Sequence, residues 1–371
     1  MVFMLIGIDT FGCNHGRSGS GSYLVSLLKN VSPVKECKIE LFGLETDRYL
    51  YDSGKNTDSF VGLPVYDSLF AEKLWHFFSL RKFIKKRKYD AVLFPASMTF
   101  LPVVKKVPAI LVVNDVIEKN NKYLVKRCLK KAAAIIAASQ YVKKEITSLG
   151  IDSSKIEVIY DGVDQNLFFP RQNYNGDVVL IQPFAIKRPY IIYPSSIRHP
   201  EKKHVELIKA YNLFRQKTGL ACKLVLAGSE SISADIVQKA VLDSPYSSDI
   251  ILTGYFPHQN LPKLYACSDA CIMPSVVEGF GLPVLEAMAC GVPVMCAKAG
   301  ALPEIAGNAA AFFDADNTEE MATIIEKVLT DEKLRKKLID DGFERIRRFS
   351  WTKTAEKTMQ LVKQLAESES R

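Results

Sequence analysis

The stretch SDACIMPSVVEGFGLPVLEAMACGVPV, Ser268–Val294, decides the fold. It opens with a short apolar run, passes through a loop holding Gly279 and Gly281, and continues in a helix opening at Leu282. That order of strand, glycine loop and helix is one unit of a parallel sheet covered by helices. The backbone N–H groups around Phe280, Gly281 and Leu282 would then lie at the positive end of the helix, where intrahelical bonds leave them unserved. Such a site suits an anion the size of a diphosphate. Glu278 and Glu286 are separated by seven residues. The first can accept hydrogen bonds from sugar hydroxyls, and the second, one turn into the helix, can hold a ribose.

The same alternation of short apolar strands and helical periods runs through the whole chain. Its 371 residues fit two domains at roughly 150 residues each. We read strands near Ala91–Phe94, Tyr190–Tyr193, Lys223–Ala227 and Ala270–Met273. Helices fall near Ser20–Lys29, Ala71–Lys86, Lys202–Lys217 and Leu282–Ala289. The fold expected is α/β, two Rossmann-like doubly wound parallel sheets. Gly, Pro and Asn break both periodicities across 161–177, which reads as the linker. The expected domains are therefore residues 1–170, residues 171–349, and a helix over 350–371 that has no strand of its own and must pack on an existing domain, which we read as the first.

Composition removes several classes. Apolar residues make up 48% and charged residues 24%, so the chain is not disordered or low-complexity. No apolar stretch reaches the roughly 18 residues of a membrane span. The start, MVFMLIGID, lacks the basic flank of a signal peptide and reads as a strand, which makes the cytoplasm the expected compartment. Eight cysteines form no CxxC pair, which argues against a zinc site or disulfide framework.

The net charge of +8 is unevenly held. Residues 1–170 carry 24 Lys and Arg against 17 Asp and Glu, whereas 171–371 carry 25 against 24. The surplus gathers in Lys82–Lys88 and Lys126–Lys131. These clusters read as solvated faces or as a patch for an anionic membrane surface. Nucleic acid is not an expected partner, since no module for it accompanies them. Trp75, Phe77, Phe78 and Phe83 neighbour the first cluster, and periodicity alone cannot decide whether they enter a core or a lipid interface.

With these residues in place, a family resemblance emerges. PSVVEGFGLPVLEAMACGVPV closely resembles the donor-site signature of the large retaining family of nucleotide-sugar glycosyltransferases, group 1 and family 4, which includes lipopolysaccharide and capsule enzymes and adopts the GT-B fold. YPSSIRHPEKKHVELIKAY (193–211), LVLAG (224–228) and AGALPEIAGNAAAFFDADN (299–317) follow in the family's order. GSGSYLVSLL (19–28) and VIYDGVDQNLFFP (158–170) are weaker landmarks of the first half.

What the resemblance implies is specific. The two domains would face each other across a cleft, the second gripping a UDP- or GDP-sugar and the first presenting a glycan or lipid-linked acceptor. Lys202 would contact the donor diphosphate with Arg198 as companion cation, and Lys203 could replace Lys202 if the register slips by one. Glu278, Glu286, Phe280, Gly281, Leu282, Gly228, Tyr255 and Phe256 would complete the donor side. Gly19, Ser20 and Gly21 would lie in a loop arching toward the donor phosphate. The family's His-Asp motif reads Asn114-Asp115 here; Asn114 can bind a hydroxyl but cannot titrate. His15 and His199 are candidate replacements for the imidazole, with His15 on the acceptor side. Asp314–Asp316 reads as a helix cap rather than a metal motif, so no metal or other cofactor is expected. The implied activity is retaining, metal-independent hexosyl transfer in cell-surface polysaccharide synthesis, by an enzyme in the cytoplasm or at the inner face of its membrane. A nicotinamide-dependent oxidoreductase is rejected, because no tight GxGxxG directly follows a strand with an acidic residue about 20 positions on. A catalytically silent nucleotide-sugar-binding protein is the alternative that Asn114 keeps open.

Overall fold

The computed structural model describes residues 4–32, 37–51, 57–104, 106–117, 122–170, 178–181, 184–230, 233–256 and 260–369. The chain divides into two compact units, Met1–Gly162 with Ser350–Arg371, and Val163–Phe349.

In the first unit the chain alternates β1 (Met4–Asp9), α1 (Gly19–Asn30), β2 (Cys37–Leu44), α2 (Arg48–Tyr51), β3 (Ser59–Leu63), α3 (Leu69–Phe78), α4 (Leu80–Arg87), β4 (Ala91–Phe94), α5 (Ser97–Phe100), β5 (Ala109–Val113), α6 (Lys122–Lys131), β6 (Ala134–Ala137), α7 (Gln140–Ser148) and β7 (Ile156–Val158). The strands form one parallel sheet ordered β3-β2-β1-β4-β5-β6-β7. AVLF, AILVV and AIIA are continuous apolar runs because both faces of the inner strands are covered. Right-handed crossovers place α3, α4, α6 and α7 on one face of this sheet. Leu80 and Ile84 of α4, Val125 and Leu129 of α6, and Val142 of α7 accordingly share one core with Phe42, Leu111 and Ile135.

The second unit runs through β8 (Val178–Ile181), β9 (Phe184–Lys187), β10 (Tyr190–Pro194), α8 (His204–Thr218), β11 (Lys223–Ala227), α9 (Ala234–Leu242), β12 (Ile250–Leu252), α10 (Leu261–Ala266), β13 (Ala270–Met273), α11 (Leu282–Ala289), β14 (Val294–Ala297), α12 (Leu302–Ala306), β15 (Ala310–Phe313), α13 (Thr318–Thr330) and α14 (Glu332–Ile346). Its parallel sheet is ordered β12-β11-β10-β13-β14-β15, beside the antiparallel β8-β9 pair. The order reverses between β10 and β13, where the helices leaving the two strands go to opposite faces. The carboxyl ends of two such strands leave a crevice between their loops.

The last helix, α15 (Trp351–Glu369), belongs to the first unit. Trp351 meets Tyr23 of α1 edge-on at 5.9 Å, and Thr354 donates to the Tyr160 carbonyl at 2.6 Å. Gly162 lets the chain pass this point, since a Cβ there would lie 2.1 Å from the Trp351 backbone nitrogen.

The structure differs from the sequence reading in three places. The first unit ends at Gly162 rather than at 170, because Phe168 is buried edge-on against Tyr265 of α10 in the second unit. Residues 171–177 of the expected linker lie outside the described residues. The helix expected over Ala71–Lys86 is two helices meeting at Ser79, whose backbone caps α3 and starts α4. The helix expected from Lys202 starts at His204, because Lys203 sits in the left-handed region at φ 53° and cannot be helical.

Candidate functional site

The site in the second unit is built on the two loops that leave β10 and β13. Tyr193, near the end of β10, is buried and ties these loops together. Its hydroxyl donates to the Lys202 carbonyl at 2.8 Å and lies 2.9 Å from Ser275 Oγ. The Val276 N–H adds a backbone bond to the Glu201 carbonyl at 3.0 Å. The left-handed turn at Lys203 then sends the two neighbouring lysines apart. Lys202 Nζ donates to Glu278 Oε2 at 2.6 Å and to the Val277 carbonyl at 3.2 Å, with both charged side chains largely buried. Lys203 Nζ instead reaches Asp316 at 2.6 Å and Glu206 at 3.3 Å, and the Asp316 carboxylate holds this ammonium above its ordinary pKa. Of the two registers read from sequence, the structure brings Lys202 to Glu278. Arg198 lies on the same loop, its Nε 3.6 Å from Glu201 Oε2.

Gly281 caps α11 at φ 100°, where a side chain would be strained and a Cβ would come 2.9 Å from Leu302 Cδ2. Pro283 follows in the first turn, where its missing N–H costs nothing. Gly300 is likewise dictated by approach, since a Cβ would fall 2.7 Å from the Glu278 carbonyl, which accepts the Ala301 N–H at 2.9 Å. Glu278 is thus fixed by backbone just ahead of the start of α11, and Phe280, Gly281 and Leu282 form the entry to the helix. Glu286 is buried one turn further in, where the Tyr265 hydroxyl donates to its Oε2 at 2.9 Å. Burial and the neighbouring carboxylate keep the Tyr265 phenol protonated. Tyr265 is a residue the motif does not point to, lying 21 positions upstream of Glu286.

His204 is buried beneath this frame, its ring 4.7 Å from that of Tyr193. Burial pushes its pKa down to about 4, so the ring is neutral. Between that value and the ordinary one of about 6.5 the unfolded chain binds more protons, so this group's contribution to stability falls as pH falls. The wild type is expected to lose about 2 kcal/mol more than His204→Phe between pH 7 and pH 5; equal losses in denaturant titrations would refute the assignment. His199 lies with Nδ1 3.9 Å from Glu206 Oε2. Gly228 has a packing reason, since a Cβ there would lie 2.0 Å from the Ser195 carbonyl. Tyr255 is exposed after Gly254 at φ 65°, while Phe256 is buried with its ring 6.5 Å from that of Phe184 in β9.

In the first unit the glycine-rich segment is a correction to the reading above. Gly19, Ser20 and Gly21 are the first turn of α1, capped by Ser18 Oγ, which accepts the Gly21 N–H at 3.0 Å. Gly21 is required by the Cys13 carbonyl, 2.1 Å from where its Cβ would be. Asn114 ends β5 half-buried, and neither atom of its amide has a hydrogen-bond partner among the described residues. Asp115 is exposed and accepts the Val116 N–H at 2.8 Å. His15 stands between two carboxylates, Nδ1 2.6 Å from Asp47 and Nε2 3.2 Å from Asp67, and the bond to Asp47 raises its pKa. The sequence reading missed His76, buried in α3 with Nε2 2.7 Å from Asp9 and its ring stacked at 4.2 Å on Phe100. It sits inside the run LWHFF, which reads as apolar. Among the described residues no group of three or more His, Cys, Asp or Glu is placed to hold a metal ion.

Comparison with known proteins places the family and the fold. Residues 18–167 match the model of Glycosyltransferase Family 4, and residues 181–345 match that of Glycosyl transferases group 1. The chain is similar to the O-antigen chain mannosyltransferase B of Escherichia coli, 33% identical over 64% of this chain and 62% of the relative. It thus spans about three-fifths of that relative's length. Among solved structures it resembles the sucrose-phosphate synthase of Thermosynechococcus elongatus, with TM-score 0.76 and 17% identity over 98% of this chain and 100% of that one. It also resembles Anabaena HepE in complex with UDP and glucose, with TM-score 0.72 and 17% identity over 97% and 99%.

Proposed function

We propose an activity from one premise: the chain belongs to the glycosyltransferases of group 1 and family 4. On our reading it moves a hexose, with retention, from a UDP- or GDP-sugar to a glycan or lipid-linked acceptor in cell-surface polysaccharide synthesis. The observation that carries this is the Lys202–Glu278 pair at 2.6 Å, held where the second sheet reverses order and beside the start of α11. A mobile anion with sugar hydroxyls can replace each partner. The diphosphate would take the Lys202 ammonium, Arg198 and the first-turn N–H groups, and the freed Glu278 would accept hydroxyls of the sugar. Glu286, oriented by Tyr265, would hold the ribose. The mannosyltransferase name of the Escherichia coli relative favours mannose as the hexose.

In this mechanism the bond from C1 to the diphosphate oxygen breaks, and the acceptor oxygen bonds to C1 on the same face. The acceptor's proton passes to the departing phosphate oxygen. The protein supplies fixed charge and position rather than a covalent nucleophile. With the diphosphate met by cations and N–H groups, a chelator is expected to leave turnover intact, and a strict need for Mn²⁺ or Mg²⁺ would overturn that part.

A second reading has its own ground: the resemblance sets Asn114 at the family's histidine, and neither atom of its amide has a hydrogen-bond partner among the described residues. A silent nucleotide-sugar-binding protein would bind donor and release no nucleotide. Measuring nucleotide release from UDP- and GDP-hexoses, with and without glycan acceptor, separates the two. We also place the chain beside a membrane, as a lipid-linked acceptor would require. Among the described residues no helix is long and apolar enough to cross one.

A further inference from the structure

Helix α3 is inside out. The residues that it buries are Glu72 and His76, both polar, whereas Leu69, Phe70, Leu74, Phe77 and Phe78 are exposed, the three phenylalanines at 72, 78 and 67%. The inversion is fixed by specific bonds. Glu72 accepts the Gly12 N–H at 2.9 Å, and His76 joins the Asp9 carboxylate at 2.7 Å and the Glu72 carbonyl at 2.9 Å. Rotating the helix to bury its phenylalanines would break the two bonds that leave it, to Gly12 and Asp9, and strand buried carboxylates without their partners. Trp75 and Phe83 do pack into the core, so the aromatic residues divide between two fates that periodicity could not separate.

The helices around this face are basic, with exposed Asp67 just ahead of α3 as the nearby acidic exception. Among α3, α4 and α6 the one acidic residue is the buried Glu72. Lys82, Lys85 and Lys86 are exposed on α4, which follows α3 directly at Ser79, and α6, on the same face of the sheet, exposes Tyr123 and Leu124 together with Lys130 and Lys131. An apolar, aromatic strip flanked by cations needs a partner that is apolar within and anionic at its rim.

We propose that this face of the first unit docks on an anionic lipid bilayer, with the phenylalanines of α3 entering the headgroup boundary and the lysines of α4 and α6 meeting lipid phosphates. The proposal rests on the reading of a lipid-linked acceptor given above and names the element that brings the protein to it. A nucleic acid would match the cations and leave the strip exposed, and a second copy would bring like charges together.

Co-sedimentation of the full chain with phosphatidylcholine vesicles, with and without phosphatidylglycerol, tests it. Anionic vesicles should capture the protein and neutral ones should not, with capture weakened by salt. Lys85→Glu with Lys86→Glu should lower capture about tenfold or more. Phe70→Ser with Phe77→Ser should lower it by a similar factor while leaving all charges in place, which a purely electrostatic or nucleic-acid surface would not show. Equal capture by both vesicle types, no capture by either, or a concentration-dependent dimer abolished by the phenylalanine changes overturns the proposal. The melting shift caused by UDP or GDP is read on the same samples. An intact nucleotide response without capture refutes the docking face alone, whereas capture without any nucleotide response refutes the donor-site reading alone.

Discussion

On the proposed activity, Lys202→Ala is expected to lower glycosyl transfer about 10²-fold or more, corresponding to roughly 3 kcal/mol for a charged contact made to the developing negative charge of the leaving diphosphate. The loss has two parts. The ammonium that would neutralise the phosphates is gone, and Glu278, 2.6 Å from it, becomes an uncompensated carboxylate facing an anionic donor. Lys202→Arg keeps the charge and should recover part of the rate. Lys203→Ala should do far less, because its ammonium is spent on Asp316 and Glu206. Initial rates at saturating acceptor decide the matter, and a Lys202→Ala enzyme with wild-type turnover would remove Lys202 from the site.

Glu286→Ala is expected to have an effect of the same order, seen chiefly as weakened donor binding. The carboxylate is buried, begins one turn inside α11, and has one oxygen occupied by the Tyr265 hydroxyl. Its loss removes both acceptors offered to a ribose and leaves that phenol without its partner. Tyr265→Phe keeps the carboxylate and removes one neutral hydrogen bond, so it should weaken binding by about tenfold or less. Titrating nucleotide into both variants tests the ranking. A larger effect from Tyr265→Phe than from Glu286→Ala would mean that Glu286 serves packing rather than the ligand.

The strands that matter most could be read from sequence because their neighbours are buried on both faces. AVLF, AILVV and KLVLA have no other plausible use. SFVGL, the edge strand β3, carries a serine and a glycine in five residues and gives no periodic signal, and β8 and β9, just after the expected linker, are only four residues each. At the site, Glu278 and Glu286 stood out because a strand end and a helix start fix them locally, and Lys202 because the family resemblance pointed to it. Tyr193, Ser275 and Tyr265 did not, since their hydroxyl partners are chosen by tertiary packing. The same holds for α3. Its burial of Glu72 and His76 depends on Gly12 and Asp9, 60 and 67 residues away in the chain, which no local pattern encodes. The glycine-rich start of α1 misled for the opposite reason: the resemblance implied an arching loop over Gly19–Gly21, whereas Gly21 is set by contact with the Cys13 carbonyl in the first turn of a helix.

The central claim, that the second unit grips a nucleoside diphosphate through Lys202 and Glu286, is tested most directly by one thermal-shift panel of UDP, GDP, ADP and TDP on the wild type and on Lys202→Ala and Glu286→Ala. A ligand that binds the folded state stabilises it by RT ln(1 + [L]/Kd), so at 100 times Kd the wild type gains about 2.7 kcal/mol. The account predicts a clear rise in melting temperature with UDP or GDP for the wild type and little or none for either variant at the same concentration. No rise with any of the four nucleotides, or equal rises in all three proteins, would contradict it.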